Sequence, residues 1–301
     1  MSRGHLSRPP AGSRVSDLLA TGERSFSFEF FPPKNDAGVT ALWRALRELE
    51  SLRPTFVSVT YGAGGSSRDT TIDITHRIAR ETTMTPMAHL TCVGHTRDEL
   101  RQIVGAYAAA GVGNVLALRG DPPGGPGTPW TPTEGGLSYA DEVVALVRSL
   151  GDFSVGVAAF PEGHRDAPDL AADIAVLRRK QDQGAQFAIT EMFFRARDYF
   201  GLLERARDAG VTIPILPGIM PITNLNQVAR MAELSGRDVP AEIVARVARH
   251  EGDAEAVRAE GTTIAGELCE ELLGGGAPGL HFYTLNRSRA TREIFAGLRL
   301  P

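Results

Sequence analysis

The 301-residue chain predicts an α/β fold, a single (β/α)8 TIM barrel. Three observations carry that expectation. Eight short runs are rich in β-branched, aromatic or Leu residues, the segments between them have helical periodicity, and neither a GxGxxG nor a P-loop pattern follows an early run. A doubly wound open sheet is the runner-up, and it would want the dinucleotide fingerprint that is missing.

In order, the predicted strands are SFSFEFF (25–31), TFVSVTYG (55–62), PMAHLTCV (86–93), NVLALRGD (114–121), FSVGVAAFPE (153–162), FAITEMFF (187–194), IPILPGIM (213–220) and GLHFYTLN (279–286). Between them, Leu42, Leu46 and Leu49 share one helical face, as do Ala140, Val143, Val144, Val147 and Leu150. Thr96 with Glu99, and Ser138 with Asp141, have the spacing of capping boxes at helix starts. The Pro/Gly-rich stretch 122–136 reads as a long loop over the site, and 239–258 as an extra helical insertion after the seventh unit. Residues 1–21 are expected to be a flexible arm and 22–301 the barrel.

Composition is that of an ordinary soluble domain, 42% hydrophobic and 23% charged with a net charge of −4. The acidic balance and scattered Lys and Arg argue against nucleic acid, and no apolar run is long enough for a bilayer. The N-terminus MSRGHLSRPPAGSR lacks the apolar stretch of a secretory signal, although its Arg/Ser bias also fits a transit peptide. Two cysteines, Cys92 and Cys269, suggest neither a disulfide framework nor a zinc site, so a reducing cytoplasm is expected.

Strand alternation singles out Glu29. Phe26, Phe28 and Phe30 share the face that meets the helices, so Ser27, Glu29 and Phe31 face the barrel interior. Burying an unpaired carboxylate is costly, and this one lies near the strand end where barrel enzymes place their chemistry. Other strands also end in polar groups: Thr60 and Tyr61, His89 and Thr91, Arg119 and Asp121, Glu162 and His164, Glu191, and Asn286 and Arg287. Together they are better explained as a lined pocket than as separate structural residues. Glu162 and His164 have no third ligand at sensible spacing, so no metal site is expected. Ser66 and Ser67 read as a turn, Arg178–Lys180 as a solvated face or a phosphate contact, and Met192, Met220 and Met231 as core fillers.

The ordered strings FSFEFFPPK, FVSVTYGAGGS, AHLTC, ALRGDPP, FPEGH, PGIMPITN and HFYTLNR together resemble the bacterial 5,10-methylenetetrahydrofolate reductases, from about Phe26 to the C-terminus. The resemblance implies a homo-oligomeric FAD enzyme. It would pass a hydride from NADH or NADPH to 5,10-methylenetetrahydrofolate, giving 5-methyltetrahydrofolate for methionine synthesis. It implies Glu29 as catalytic acid, with a pKa raised by its apolar surroundings, and Asp121 as an anion beside the flavin and the pterin. Cofactor contacts implied are Thr60, Tyr61, Ala63, His89, Arg119, Gly120, Asp121, Phe160, His164, Ala167, Asp173, Arg179 and Lys180. Asp121, Glu191, Gln227 and Arg287 match folate contacts. The chain departs from the pattern at Glu191 (commonly Gln), Phe160 (Tyr in enterobacterial members), Val176 (Asn) and Met231 (an aromatic). An alternative is a folate- or flavin-binding barrel whose hydride transfer is impaired by Glu191.

Overall fold

A computed structural model describes residues 12–61, 68–122, 124–125, 128–224, 226, 229–230, 232–233 and 239–299, the side chains of 68 and 69 excepted. Parallel strands form one sheet in the order β7-β6-β5-β4-β3-β2-β1-β9-β8. They are β1 (Ser25–Phe30), β2 (Phe56–Val59), β3 (Pro86–Thr91), β4 (Asn114–Leu118), β5 (Ser154–Ala159), β6 (Phe187–Thr190), β7 (Ile215–Leu216), β8 (Gly218–Ile219) and β9 (Gly279–Tyr283). Helices on the outside are α2 (Asp36–Glu50), α3 (Arg68–Glu81), α4 (Arg97–Ala109), α5 (Ala140–Leu150), α6 (Leu170–Asp182), α7 (Ala196–Asp208), α8 (Ala241–Ala248), α9 (Ala254–Gly274) and α10 (Arg289–Gly297), with a short α1 (Val15–Ala20) before β1. This is the expected TIM-type barrel.

The seventh predicted strand differs in detail. Pro217 has no N–H to give a ladder, and the run breaks there into β7, which pairs with β6, and β8, which pairs with β9. The eighth predicted strand is β9. Because β7 and β8 are consecutive, the sheet closes on itself through this one kink. Gly218 permits the close approach: a Cβ there would lie 2.3 Å from Thr190 O and 2.7 Å from Tyr283 Oη.

The alternation read from β1 holds. Phe26, Phe28 and Phe30 are in the main core, between sheet and helices, with Leu42, Leu46 and Leu49 of α2. A second, smaller core fills the barrel from below: Val15, Phe56, Met87, Leu116, Phe187, Ile189 and Leu216. Part of the segment expected to be a flexible arm is therefore a plug. The side chain of Val15 is fully buried, its N–H donates to Asn114 Oδ1 at 2.8 Å, and Ser16 N–H donates to Ser154 Oγ at 2.9 Å. Those two contacts satisfy helix-start donors that would otherwise be orphaned.

Thr96 and Glu99 form the predicted capping box, with Thr96 N–H donating to Glu99 Oε2 at 2.7 Å. The second predicted box does not form. The N-cap of α5 is Tyr139, and Glu142 rather than Asp141 reaches back to accept from Ser138 N–H at 2.7 Å. Leu150, predicted on the buried face of α5, is 41% exposed because the helix ends there. The stretch 239–258 is helical as expected, but in two pieces, α8 and the start of α9.

Candidate active site

Glu29, next to last in β1, is 5% exposed inside the barrel. The parallel register sets Ser27 against His281 and Glu29 against Tyr283, and on the other side Glu29 against Ser58. Three strands thereby converge on one carboxylate oxygen. Glu29 Oε2 lies 3.3 Å from His281 Nε2 and 3.4 Å from His89 Nε2, and accepts from Ser58 Oγ at 3.4 Å. Those distances are long for hydrogen bonds, so the attraction is mainly electrostatic.

His281 is the better held of the two imidazoles. Its Nδ1 lies 2.8 Å from Ser27 Oγ, its ring stacks on Phe56, and Tyr283 meets it edge-on. A carboxylate facing Nε2 favours the tautomer with the proton there, and Ser27 then donates to Nδ1. A row of three groups, hydroxyl to imidazole to carboxylate, results.

The Glu29 pKa departs from the raised value that its aromatic setting implies. Burial, the largest single influence, does push it up. The charges of His89 and His281 and their contacts with the carboxylate outweigh burial and hold Glu29 at about 2. A fall from the ordinary 4.5 to about 2 favours the anion by about 3 kcal/mol. The apolar reading of FSFEFF missed the partners because both arrive from distant strands.

A second carboxylate borders this group. Tyr283 donates from its hydroxyl to Thr190 O at 2.6 Å. Its pKa is raised well above the usual phenol range, first by burial and then by the charges of Glu191 and Glu29. The phenol therefore senses both carboxylates. Glu191 is half-buried and accepts from Met192 N–H at 3.0 Å.

A cationic cluster occupies the ends of β4 and β5 and helix α6. Arg119 Nη2 donates to Asp166 Oδ2 at 2.9 Å, and its guanidinium lies over the Trp130 ring at 4.8 Å. Lys180 is buried, donates to Ala158 O at 2.8 Å and lies 5.7 Å from the Phe160 ring. Burial lowers the Lys180 pKa to about 8, against the opposing pull of Asp173 and Asp141. His164 meets Phe160 edge-on, and its pKa is lowered by burial first, then by Arg119, with Lys180 also contributing. Arg179 is exposed and lies 3.8 Å from Asp141.

Of the remaining predicted residues, Thr60 is half-buried just past β2, and its carbonyl accepts from Thr71. Tyr61 is buried with its hydroxyl 2.9 Å from His95 Nε2. Gly120 has φ +84°, and a Cβ there would meet Val93 Cγ1 at 2.4 Å, so only glycine fits this turn. Ala167 N–H donates to His164 O, and Asp173 is buried in the first turn of α6. Asp121 and Arg287 are exposed at the mouth, and no contact among the described residues joins either to Glu29. Val176 is half-buried on α6. Ala63, Gln227, Met231, Ser66 and Ser67 lie outside the described residues. Sequence reasoning missed His281, Ser58 and the Ser27 hydroxyl. The available signal was the alternation in GLHFYTLN, which turns His281 inward between Leu280 and Phe282. Among the described residues no group of three or more His, Cys, Asp or Glu side chains could hold a metal ion, and no helix is long and apolar enough to cross a membrane.

Fold and site together define a barrel enzyme with an acid–base cluster inside its C-terminal mouth and a cationic cluster beside it. A family model described as methylenetetrahydrofolate reductase matches residues 14–299. The chain belongs to the methylenetetrahydrofolate reductase family, a family of oxidoreductases. It is 38% identical to the 5,10-methylenetetrahydrofolate reductase of Salmonella typhimurium over 273 residues, 91% of this chain and 90% of that one. The Escherichia coli protein of the same name gives the same figures. Methylenetetrahydrofolate reductase (NADH) 1 of Arabidopsis thaliana is 37% identical over 298 residues, 95% of this chain but 50% of the plant protein. Among solved structures, a Clostridium thermocellum protein described as binding two copies of 5-methyl-5,6,7,8-tetrahydrofolic acid superimposes with a TM-score of 0.62. At 12% identity, covering 94% of this chain and 96% of that one, it speaks for the fold alone.

Proposed function

We propose that this protein reduces 5,10-methylenetetrahydrofolate to 5-methyltetrahydrofolate in the cytoplasm, using FAD and a hydride from NADH or NADPH, and so feeds methionine synthesis. The observation that carries the reading is a buried carboxylate, Glu29, set between two imidazoles at the end of a barrel where folate chemistry needs a proton donor. Family membership supports the substrate.

The residues present fit FAD. Arg119, Arg179 and Lys180 gather positive charge suited to a diphosphate, and Lys180 has three ammonium donors of which one goes to Ala158 O. Gly120 provides a turn without a side chain for close approach. The chemistry supplied by the bound flavin is relay of a hydride from nicotinamide to the folate methylene carbon.

The protein's own task is the proton. Opening the five-membered ring of the substrate requires that N10 leave as an amine, which needs a proton, while N5 becomes a cationic iminium. With its pKa held at about 2, Glu29 does not store that proton. It passes through Glu29 Oε2, which faces His89 Nε2 and His281 Nε2. The contacts of His89 and His281 oppose burial at Glu29, so weakening them as substrate binds lets burial raise the carboxyl and favours its protonated form. Ser27 Oγ on Nδ1 keeps His281 oriented through that transfer. Asp121, at the mouth, favours the cationic iminium electrostatically. Glu191 and Arg287 would contact the folate.

The test is Glu29→Gln, assayed as two half-reactions. Folate reduction is expected to be lost while NAD(P)H oxidation by an artificial acceptor persists. If both fall together, Glu29 is structural and the proton comes from elsewhere.

A further inference from the structure

Arg119 is held from two sides by residues of very different character. On one side is Trp130, whose ring lies 4.8 Å from the guanidinium carbon. Trp130 is in the Pro/Gly-rich loop after β4, and that loop is pinned to the β3–α4 turn. Gly94 N–H donates to Thr133 Oγ1 at 3.0 Å, Arg97 N–H donates to Gly135 O at 2.9 Å, and Thr96 pairs with Gly136 in an antiparallel bridge. Trp130 also packs against the main core. It is a fixed wall.

On the other side is Asp166, whose carboxylate is 51% exposed against 17% for the Arg119 side chain. Its backbone N–H donates to His164 Nδ1 at 3.0 Å, but the only carboxylate contacts among the described residues are Arg119 at 2.9 Å and the His164 ring at 3.9 Å. An ion pair open to water on one partner contributes little and exchanges readily. The guanidinium meets both partners at once, because the cation–π attraction uses its flat face and the ion pair an N–H edge. His164 and Lys180 stand within electrostatic reach of the same guanidinium. Charge of one sign gathered at a barrel mouth, with an exposed internal carboxylate neutralising part of it, suits a ligand carrying phosphate.

We propose that Trp130 and Asp166 are positioning residues for Arg119, a fixed ring and an exchangeable carboxylate, which together present the guanidinium to an anionic phosphate of the cofactor. Asp166 takes the phosphate's place on Arg119 until the cofactor arrives. This rests on the FAD reading above.

The experiment is equilibrium titration of the full chain with FAD, at low and high salt, followed in every protein by the quenching of flavin fluorescence and, where Trp130 is kept, also by its emission in a Trp43→Phe background. Trp43 is the only other tryptophan and lies under Arg77 on the helical layer, so the signal is local. Asp166→Asn removes the competitor and is expected to tighten FAD binding about threefold at low salt, with the gain shrinking as salt screens the pair. Trp130→Leu is expected to weaken binding about fivefold, and Trp130→Phe, which keeps a π-face, to recover most of that loss. Inorganic pyrophosphate alone is expected to shift Trp130 emission, and at lower concentration in Asp166→Asn. Equal or weaker FAD binding by Asp166→Asn would overturn the exchange, and a Trp130→Phe protein as weak as Trp130→Leu would overturn the role of the ring. Absence of FAD binding in every protein would remove the cofactor reading and this inference with it, whereas binding with unchanged constants removes this inference alone.

Discussion

Replacing His281 by Leu tests the proton arrangement most directly. The imidazole contributes two of the four influences that hold Glu29 down, a hydrogen-bonding contact and a charge, while burial acts in the opposite direction. Without it, part of the downward pull disappears and burial is left less opposed. The Glu29 carboxyl is then expected to rise from about 2 toward its ordinary range. A full return to 4.5 would forfeit about 3 kcal/mol of preference for the anion, which sets the upper limit of the effect. The assay is the infrared carbonyl band of isotope-labelled Glu29, followed as pH is lowered. A stability consequence has a definite sign. Because the folded pKa lies below the unfolded value, the ionised form stabilises the fold above about pH 4.5, and that contribution fades as pH falls toward 2. His281→Leu forfeits part of it, so acid unfolding should begin at higher pH than in the parent. If the Glu29 band titrates at the same pH in both proteins, His281 does not contribute to its acidity, and the role given to its contact with Glu29 fails.

Two further outcomes are expected. Glu191→Gln replaces the second carboxylate near Tyr283 by a neutral donor and acceptor, and steady-state kinetics should show a lower apparent KM for folate; an unchanged value would mean the carboxylate is harmless there. Gly218→Ala would drive a methyl group into Thr190 O and the Tyr283 hydroxyl, and should lower stability by about 2 kcal/mol in denaturant unfolding, with the near-ultraviolet signal of Tyr283 altered.

The parts of the molecule that were legible from residue order are those in which neighbours in sequence decide the outcome. Alternation in SFSFEFF placed three phenylalanines outside and Glu29 inside, and the structure agrees. The Thr96–Glu99 box is likewise a matter of four consecutive residues. What could not be read depends on partners far along the chain. VSDLLA is too short to show a period, and it becomes a helix because Val15 fills the floor of the barrel and the side chains of Asn114 and Ser154 meet its first donors. The acidity of Glu29 is similar. Local composition speaks only of burial, whereas the partners that oppose it are His89 on β3 and His281, which lies 252 residues away and is delivered by the register of β9 against β1. Asp166 and Trp130 show the same limit, since only folding brings them to the two sides of Arg119.

The break at Pro217 has a consequence for how the barrel breathes. Most strands contribute a ladder of four to six residues, but the closing joint is made by two segments of two residues each. Its short ladders are supplemented by side-chain ties, Gly218 N–H to Thr190 Oγ1 and the Tyr283 hydroxyl to Thr190 O. A ring opens at its weakest stitch, so amide hydrogens around Pro217 are the ones that exchange with solvent first. Tyr283 and Glu191 flank that joint. Fluctuation there alters the spacing of the phenol and its two carboxylates before it disturbs any other part of the barrel wall, which ties the softest part of the scaffold to the part proposed to meet the folate.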